Sequence, residues 1–137
     1  MDMEPIVIDF GDIPCTRGQR EVTVYPLNEE SIEKYVADGI QPANYRIGRL
    51  DDQDYEVIYV GRVDIRQDRG LKDRMIEHLD EFEGNSYFEW NEARNVIDAY
   101  IRECLDFHCW NNIGDLENQV HPRKPAGYQK MCPVCGK

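Results

Sequence analysis

Asn44-Tyr45-Arg46-Ile47-Gly48-Arg49-Leu50 and Tyr55-Glu56-Val57-Ile58-Tyr59-Val60-Gly61 are two strand-like runs separated by the acidic turn Asp51-Asp52-Gln53-Asp54. So short a connection joins neighbouring antiparallel strands, and the stretch 44–61 is expected to be a hairpin. Side chains alternate across a strand, which puts Tyr45, Ile47 and Arg49 on one face of the first run and Tyr55, Val57 and Tyr59 on one face of the second. Beyond a Gly70 turn the period changes: Leu71, Met75, Ile76, Leu79 and Phe82 recur at helical spacing, with Arg74 and His78 four apart at the edge of that stripe. The aromatic run 86–90 suits a third strand. Asn91 then stands where a cap is needed for a long helix whose apolar side is Ala93, Val96, Ile97, Tyr100, Ile101, Cys104, Leu105 and His108. The fold class that follows is α/β, more narrowly α+β: a small three-stranded antiparallel or mixed sheet flanked by helices.

Upstream, residues 5–10 and 21–25 have strand composition around turn material at Gly11, Pro14 and Gly18. Residues 28–36 open with Asn28 and the acids Glu29 and Glu30, and Gly39 stops them, so a short helix is expected. This front piece, 1–41, is taken as an N-terminal extension packed on a core spanning 42–118. Cys15 is isolated within it and is expected to be a partly buried thiol. In the remaining stretch, 119–137, His121-Pro122, Pro125 and Gly127 rule out a long regular element.

A chain of 137 residues suits one hydrophobic core, and a hydrophobic fraction of 41% with 31% charged residues suits a folded protein. The start, Met1-Asp2-Met3-Glu4, is acidic where a secretory leader is basic, and no window approaches the roughly 18 apolar residues of a membrane helix. A cytoplasmic protein is therefore expected, its five cysteines serving as reduced thiols or metal ligands. The net charge of −11 argues against a broad nucleic-acid surface but leaves room for a local one. Arg62, Arg66, Arg69, Lys72 and Arg74 cluster with Asp64, Asp68 and Asp73 interleaved. After Glu117 the chain has Arg123, Lys124, Lys130 and Lys137 and no Asp or Glu.

A hairpin, a helix, a third strand and a second helix carrying Tyr, Tyr-Val-Gly, Arg, Glu and Asn in that order resemble the core of the GIY-YIG nucleases, from about Tyr45 to Asn118. Ile58-Tyr59-Val60-Gly61-Arg62 is similar to the family's Tyr-Ile-Gly strand end. Ala43-Asn44-Tyr45 stands at the Gly-Ile-Tyr motif and keeps only its tyrosine. Arg74 and His78 fall where the family's helix carries a catalytic arginine and commonly a histidine one turn later. The resemblance implies Glu103 as the metal-binding glutamate, Asn118 as the later asparagine with Asn112 as its competitor, and Gly61 and Arg62 beside the substrate. It implies a divalent-metal-dependent endonuclease acting on DNA, with Mg²⁺ or Mn²⁺ held by Glu103.

The chemistry suits those residue types. Mg²⁺ takes few protein ligands and keeps several waters, so a single carboxylate with a substrate phosphate suffices. Arg74, permanently charged and fork-shaped, matches nonbridging oxygens as they gain charge. Nearby cations favour a phenolate at Tyr45 or Tyr59 that accepts a proton from water, and His78 is the alternative base or a phosphate contact. Two other functions stay open. One is a catalytically silent binding module with the same fold, which the degraded first motif and the acidic balance support. The other is a zinc-stabilised adaptor that meets a protein partner through its acidic surface.

Cys132-Pro133-Val134-Cys135-Gly136 has the spacing and trailing glycine of a zinc knuckle. A redox pair of this spacing opens a helix, and the chain ends two residues after Cys135. Cys104 and His108, four apart on the last helix, project from one face and supply a second half-site, with His121 and Cys109 as rival ligands. Four protein ligands leave no open position, so this site is expected to be a structural clamp.

Overall fold

The computed structural model describes every residue except 1–3, 17, 18, 53, 66–68, 83, 115, 119 and 137. The expectations attached to Met1, Asp2, Met3, Gly18, Gln53, Arg66, Asp68 and Lys137 lie outside the described residues. In chain order the elements are β1 (Ile6–Asp9), β2 (Glu21–Pro26), α1 (Glu29–Tyr35), β3 (Ala43–Asp51), β4 (Asp54–Val63), α2 (Leu71–His78), β5 (Ser86–Glu92) and α3 (Val96–Ile113), with a 3-10 turn at Pro14–Thr16. The fold is mixed α+β, and its sheet has five antiparallel strands in the order β1-β2-β5-β3-β4 rather than the expected three. The two extra strands come from the supposed extension. β2 pairs with β5 through Tyr25↔Phe88 and Pro26↔Tyr87, and so covers a backbone edge that would otherwise stay unpaired.

β3 and β4 form the hairpin, but its register breaks once. Ile47 pairs with Tyr59 and Gly48 with Val57, which leaves Ile58 as an extra residue on β4. Alternation is reset there. Ile58 and Tyr59 pack with Tyr45 and Ile47 on the face covered by α1 and α2, whereas Val57 and Tyr55 pack with Trp110 of α3 on the other. The expectation that Tyr55, Val57 and Tyr59 share a face is therefore corrected by the bulge. Gly61 lies opposite Tyr45, and any β-carbon there would overlap the phenol ring that crosses it.

Each helix is started by a side chain. Asn28 accepts a hydrogen bond from the Ser31 amide at 2.8 Å, and Asn95 accepts one from the Asp98 amide at 2.8 Å. Asn91 is consequently no cap: it pairs with Asn44 inside the sheet. At α2 the residue before the helix is Gly70, whose amide donates to Asp73 Oδ2 at 3.0 Å, and the next amide, Leu71, donates to the Ile40 carbonyl at 2.9 Å. These bonds fix the direction in which α2 leaves the sheet. The apolar stripes also rotate from expectation: Ile76, Ile97 and Leu105 are 38%, 40% and 38% exposed, while His78 is fully buried.

β4 is the outer strand, and the chain after α3 returns to cover it. The Glu117 amide donates to the Ile58 carbonyl at 2.6 Å. The Asn118 side chain accepts from the Val60 amide at 3.0 Å and donates to the Val60 carbonyl at 2.8 Å. Cys15 and Cys109 are joined in a disulfide that ties the 3-10 turn to α3, so Cys15 is no free thiol and Cys109 no metal ligand. Among the described residues no helix is long and apolar enough to cross a membrane.

Candidate functional site

Side chains of β4 pack toward helices on both faces of the sheet. α2 flanks it on one face, α3 on the other, and the returning tail crosses the end. A cleft of about 450 Å³ opens there, lined by Tyr59 and Arg62 of β4, Arg74 of α2, Glu103 of α3, and Asn118, His121 and Arg123 of the tail. Asp64, Arg69 and Glu77 also line it, so four arginines face three carboxylates in a chain of net charge −11.

Arg62 is the hub. Its Nη1 donates to Glu103 Oε1 at 2.6 Å and its Nε to Asp64 Oδ1 at 2.8 Å, with the guanidinium 5.3 Å from the Tyr100 ring centre. Burial pushes the Glu103 carboxyl up to about 7, against the opposing pull of Arg62 and with Asp64 and Asp106 adding to the rise. Arg74 pairs with Glu77 at 2.9 Å, Glu77 also pairs with Arg69, and Arg74 Nε donates to the Tyr45 hydroxyl at 3.2 Å.

Tyr45 stands behind the cleft, 1% exposed, its hydroxyl 2.7 Å from His78 Nε2. Burial, with Arg74 nearby, brings His78 down to about 4, so the imidazole is neutral near pH 7. The Tyr45 hydroxyl accepts from Arg74 and shares a hydrogen bond with His78 Nε2, whose Nδ1 lies 3.3 Å from Glu81 Oε1. The relay runs from the Arg74 N–H to the Tyr45 oxygen and on through the Tyr45 and His78 hydrogen bond. Tyr59 stacks on Tyr45 with ring centres 6.2 Å apart, and packs edge-on against His78 and Phe82.

The expected site residues therefore divide. Tyr59, Arg62, Arg74, Glu103 and Asn118 converge on the cleft, while Tyr45 and His78 hold Arg74 from behind without lining it. Gly61 makes room for Tyr45, and the Asn118 amide is committed to Val60. Asn112 is exposed on α3. Burial raises both tyrosine hydroxyls above their ordinary value, with Arg74 pulling the other way. Arg69 and Asp64, from the mixed cluster that the sequence places between Arg62 and Arg74, line the cleft, and Arg123 of the acid-free tail joins them. The acid-free tail was the signal for Arg123, but nothing local shows that it folds back.

A second cluster adjoins the first through His121. Single ligand atoms of His108, His121, Cys132 and Cys135 all lie within 4.8 Å of one another. The Nε2 atoms of the two histidines are 3.1 Å apart, and Cys135 Sγ is 3.3 Å from His121 Nε2. A tetrahedral ion with N and S ligands sets its donors about 3.3 to 3.8 Å from each other, which these spacings suit. Burial opposes a thiolate at Cys132, but the amides of Cys135 and Val134, with His121 and Cys104, bring it down to about 6. Cys104, expected as a ligand, is not in the quartet. It is fully buried among Tyr100, Tyr128 and Cys132, where burial pushes its thiol up to about 12, and His121 takes its place. Compared with family models, characterised proteins and solved structures, the chain finds no match.

Proposed function

We propose that the cleft at the β4 edge is a phosphodiester-hydrolysing site of GIY-YIG type, acting on DNA with a divalent ion. The observation that carries this is the meeting of Tyr59, Arg62, Arg74 and Glu103, drawn from three elements, in one cleft with an excess of arginine. The donor set fits a hard ion that keeps most of its water: Glu103 is the carboxylate that would hold it, in exchange for its contact with Arg62, with Asp64 beside it. When bound, Mg²⁺ or Mn²⁺ supplies Lewis-acid charge to a phosphate oxygen and a water.

The chain's own residues do the rest. Arg74, aimed by the Tyr45 and His78 relay, meets the nonbridging oxygens as charge builds on them. Tyr59, kept a phenol by burial, acts as a donor toward the leaving oxygen and not as a base. The water oxygen bonds to phosphorus and the ester bond to the leaving sugar oxygen breaks; Tyr59 passes its proton to that oxygen, which leaves as a hydroxyl, and the proton lost by the water goes to solvent, from which Tyr59 is reprotonated. At the quartet of His108, His121, Cys132 and Cys135 the soft, tetrahedral donor set selects zinc in a structural role.

A silent phosphate-binding module is the second reading, favoured by one observation: Glu103 Oε1 already has a cationic partner in Arg62. The two are separated by incubating supercoiled DNA with purified protein and Mg²⁺ or Mn²⁺. Nicking is expected, with Arg74→Ala slower by about 10²-fold or more while still folded. Intact DNA and RNA with either ion would hand the cleft to the silent module.

A further inference from the structure

We infer that the C-terminal tail is the wall of the cleft that grips the polyanion, and that metal bound at His108, His121, Cys132 and Cys135 holds this wall in place. The inference rests on the phosphodiester reading of the cleft and adds to it a second, metal-dependent contact for the strand.

Three observations carry it. The first is position: residues 120–123 line the cleft, facing Arg62, Arg69 and Arg74 across it. The second is charge. From residue 118 onward the chain has no acid, and Arg123, Lys124 and Lys130 are exposed, so the longest acid-free stretch of a strongly acidic protein borders the arginine-rich cleft. The third is attachment. Residues 120–123 belong to no helix or strand, and among the described residues their hydrogen bonds to other segments run through the His121 ring, to His108 and Cys135. Pro122 and Pro125 are buried and Tyr128 packs edge-on against Tyr100, which anchors the tail further along.

His121 thus belongs to both places, as a metal-quartet ligand and as cleft lining. An ion there cross-links α3 through His108 to the loop through His121 and to the knuckle through Cys132 and Cys135. Arg123, two residues from His121, is held where a phosphate next to the scissile one would pass. Without the ion, His121 keeps its hydrogen bonds and its ring packing on Phe107 and His108, but the wall loses the cross-link that fixes its charges against α3. Zinc in this account controls how the strand is held and leaves the chemical step to Arg74 and Glu103.

The test is binding of a short fluorescein-labelled DNA duplex, followed by anisotropy over a range of salt concentrations without Mg²⁺ or Mn²⁺, alongside elemental analysis. Wild type, Arg74→Ala, Arg123→Ala with Lys124→Ala, and Cys132→Ser with Cys135→Ser are compared. The wild type is expected to carry one zinc per chain. The Arg123 and Lys124 double variant should bind roughly tenfold more weakly, with a salt slope smaller by about 1 to 2. The cysteine double variant removes no positive charge, yet should lose zinc together with the same affinity and the same part of the slope.

A zinc-free cysteine variant that binds DNA like the wild type would overturn the coupling, as would wild type purified under reducing, chelator-free conditions without zinc. Loss of binding in Arg74→Ala with no change in the Arg123 and Lys124 variant would leave the cleft reading standing and remove the tail from it. A wild type that binds no DNA would take both. Arg123 and Lys124 are exposed, so their variant decides the role of the wall even if the cysteine variant folds poorly.

Discussion

Tyr45, His78 and Arg74 show what a residue pattern can and cannot tell. Their order and spacing are visible in the sequence, and the three do meet. Their surroundings depend on burial, which no short window of sequence displays: Tyr45 and His78 are buried and hydrogen-bonded to each other, and Tyr45 also accepts from Arg74. His78 is faced by Tyr45, Tyr59, Phe82, Arg74 and Glu81, and its imidazole falls to about 4 through burial and Arg74. A histidine lowered in the folded state takes its proton first in the unfolded chain. Its contribution is therefore present above the unfolded value near 6.5 and is lost as pH falls through 4. Denaturant melts at pH 7 and pH 4 should show wild type losing about 3 kcal/mol more than His78→Gln over that interval. Equal losses in the two proteins would mean that His78 is not held neutral.

At the scale of the element, the β3 and β4 hairpin was legible because a short acidic turn separates two apolar alternations. The bulge at Ile58 was not, since one extra residue leaves the composition of a strand unchanged while exchanging its faces. The start of α3 shifted for a related reason: Asn91 and Asn95 are equally good caps on paper, and pairing of Asn91 with Asn44 in the sheet decides between them. The covering of β4 by Asn118 is a longer-range case, in which a side-chain amide supplies both a donor and an acceptor to an edge strand. Asn118→Ala removes two hydrogen bonds and should cost about 2 kcal/mol in denaturant melts. The Val60 amide should also exchange faster with deuterium. Unchanged protection of Val60 would show that the tail does not cap the strand.

For the whole molecule, the sequence makes the acidic balance and the basic tail plain, but not the cleft, because residues 62 and 123 are brought to line it by the returning chain. The same is true of the five-stranded sheet, which needs β2 to find β5 across some sixty residues, and of the Cys15–Cys109 disulfide across 94. What results is a molecule in which four arginines and three carboxylates line one cleft, beside a quartet of His108, His121, Cys132 and Cys135 whose donor atoms lie close enough to hold a metal. The claim that this cleft cuts phosphodiesters is tested most directly by single-turnover nicking of supercoiled DNA with Mg²⁺, wild type against Glu103→Ala, both verified as folded by circular dichroism. The wild type should nick only with the ion present, and Glu103→Ala should be slower by about 10²-fold or more, since removing the carboxylate deletes the ion's anchor. Nicking by Glu103→Ala at the wild-type rate would contradict the account.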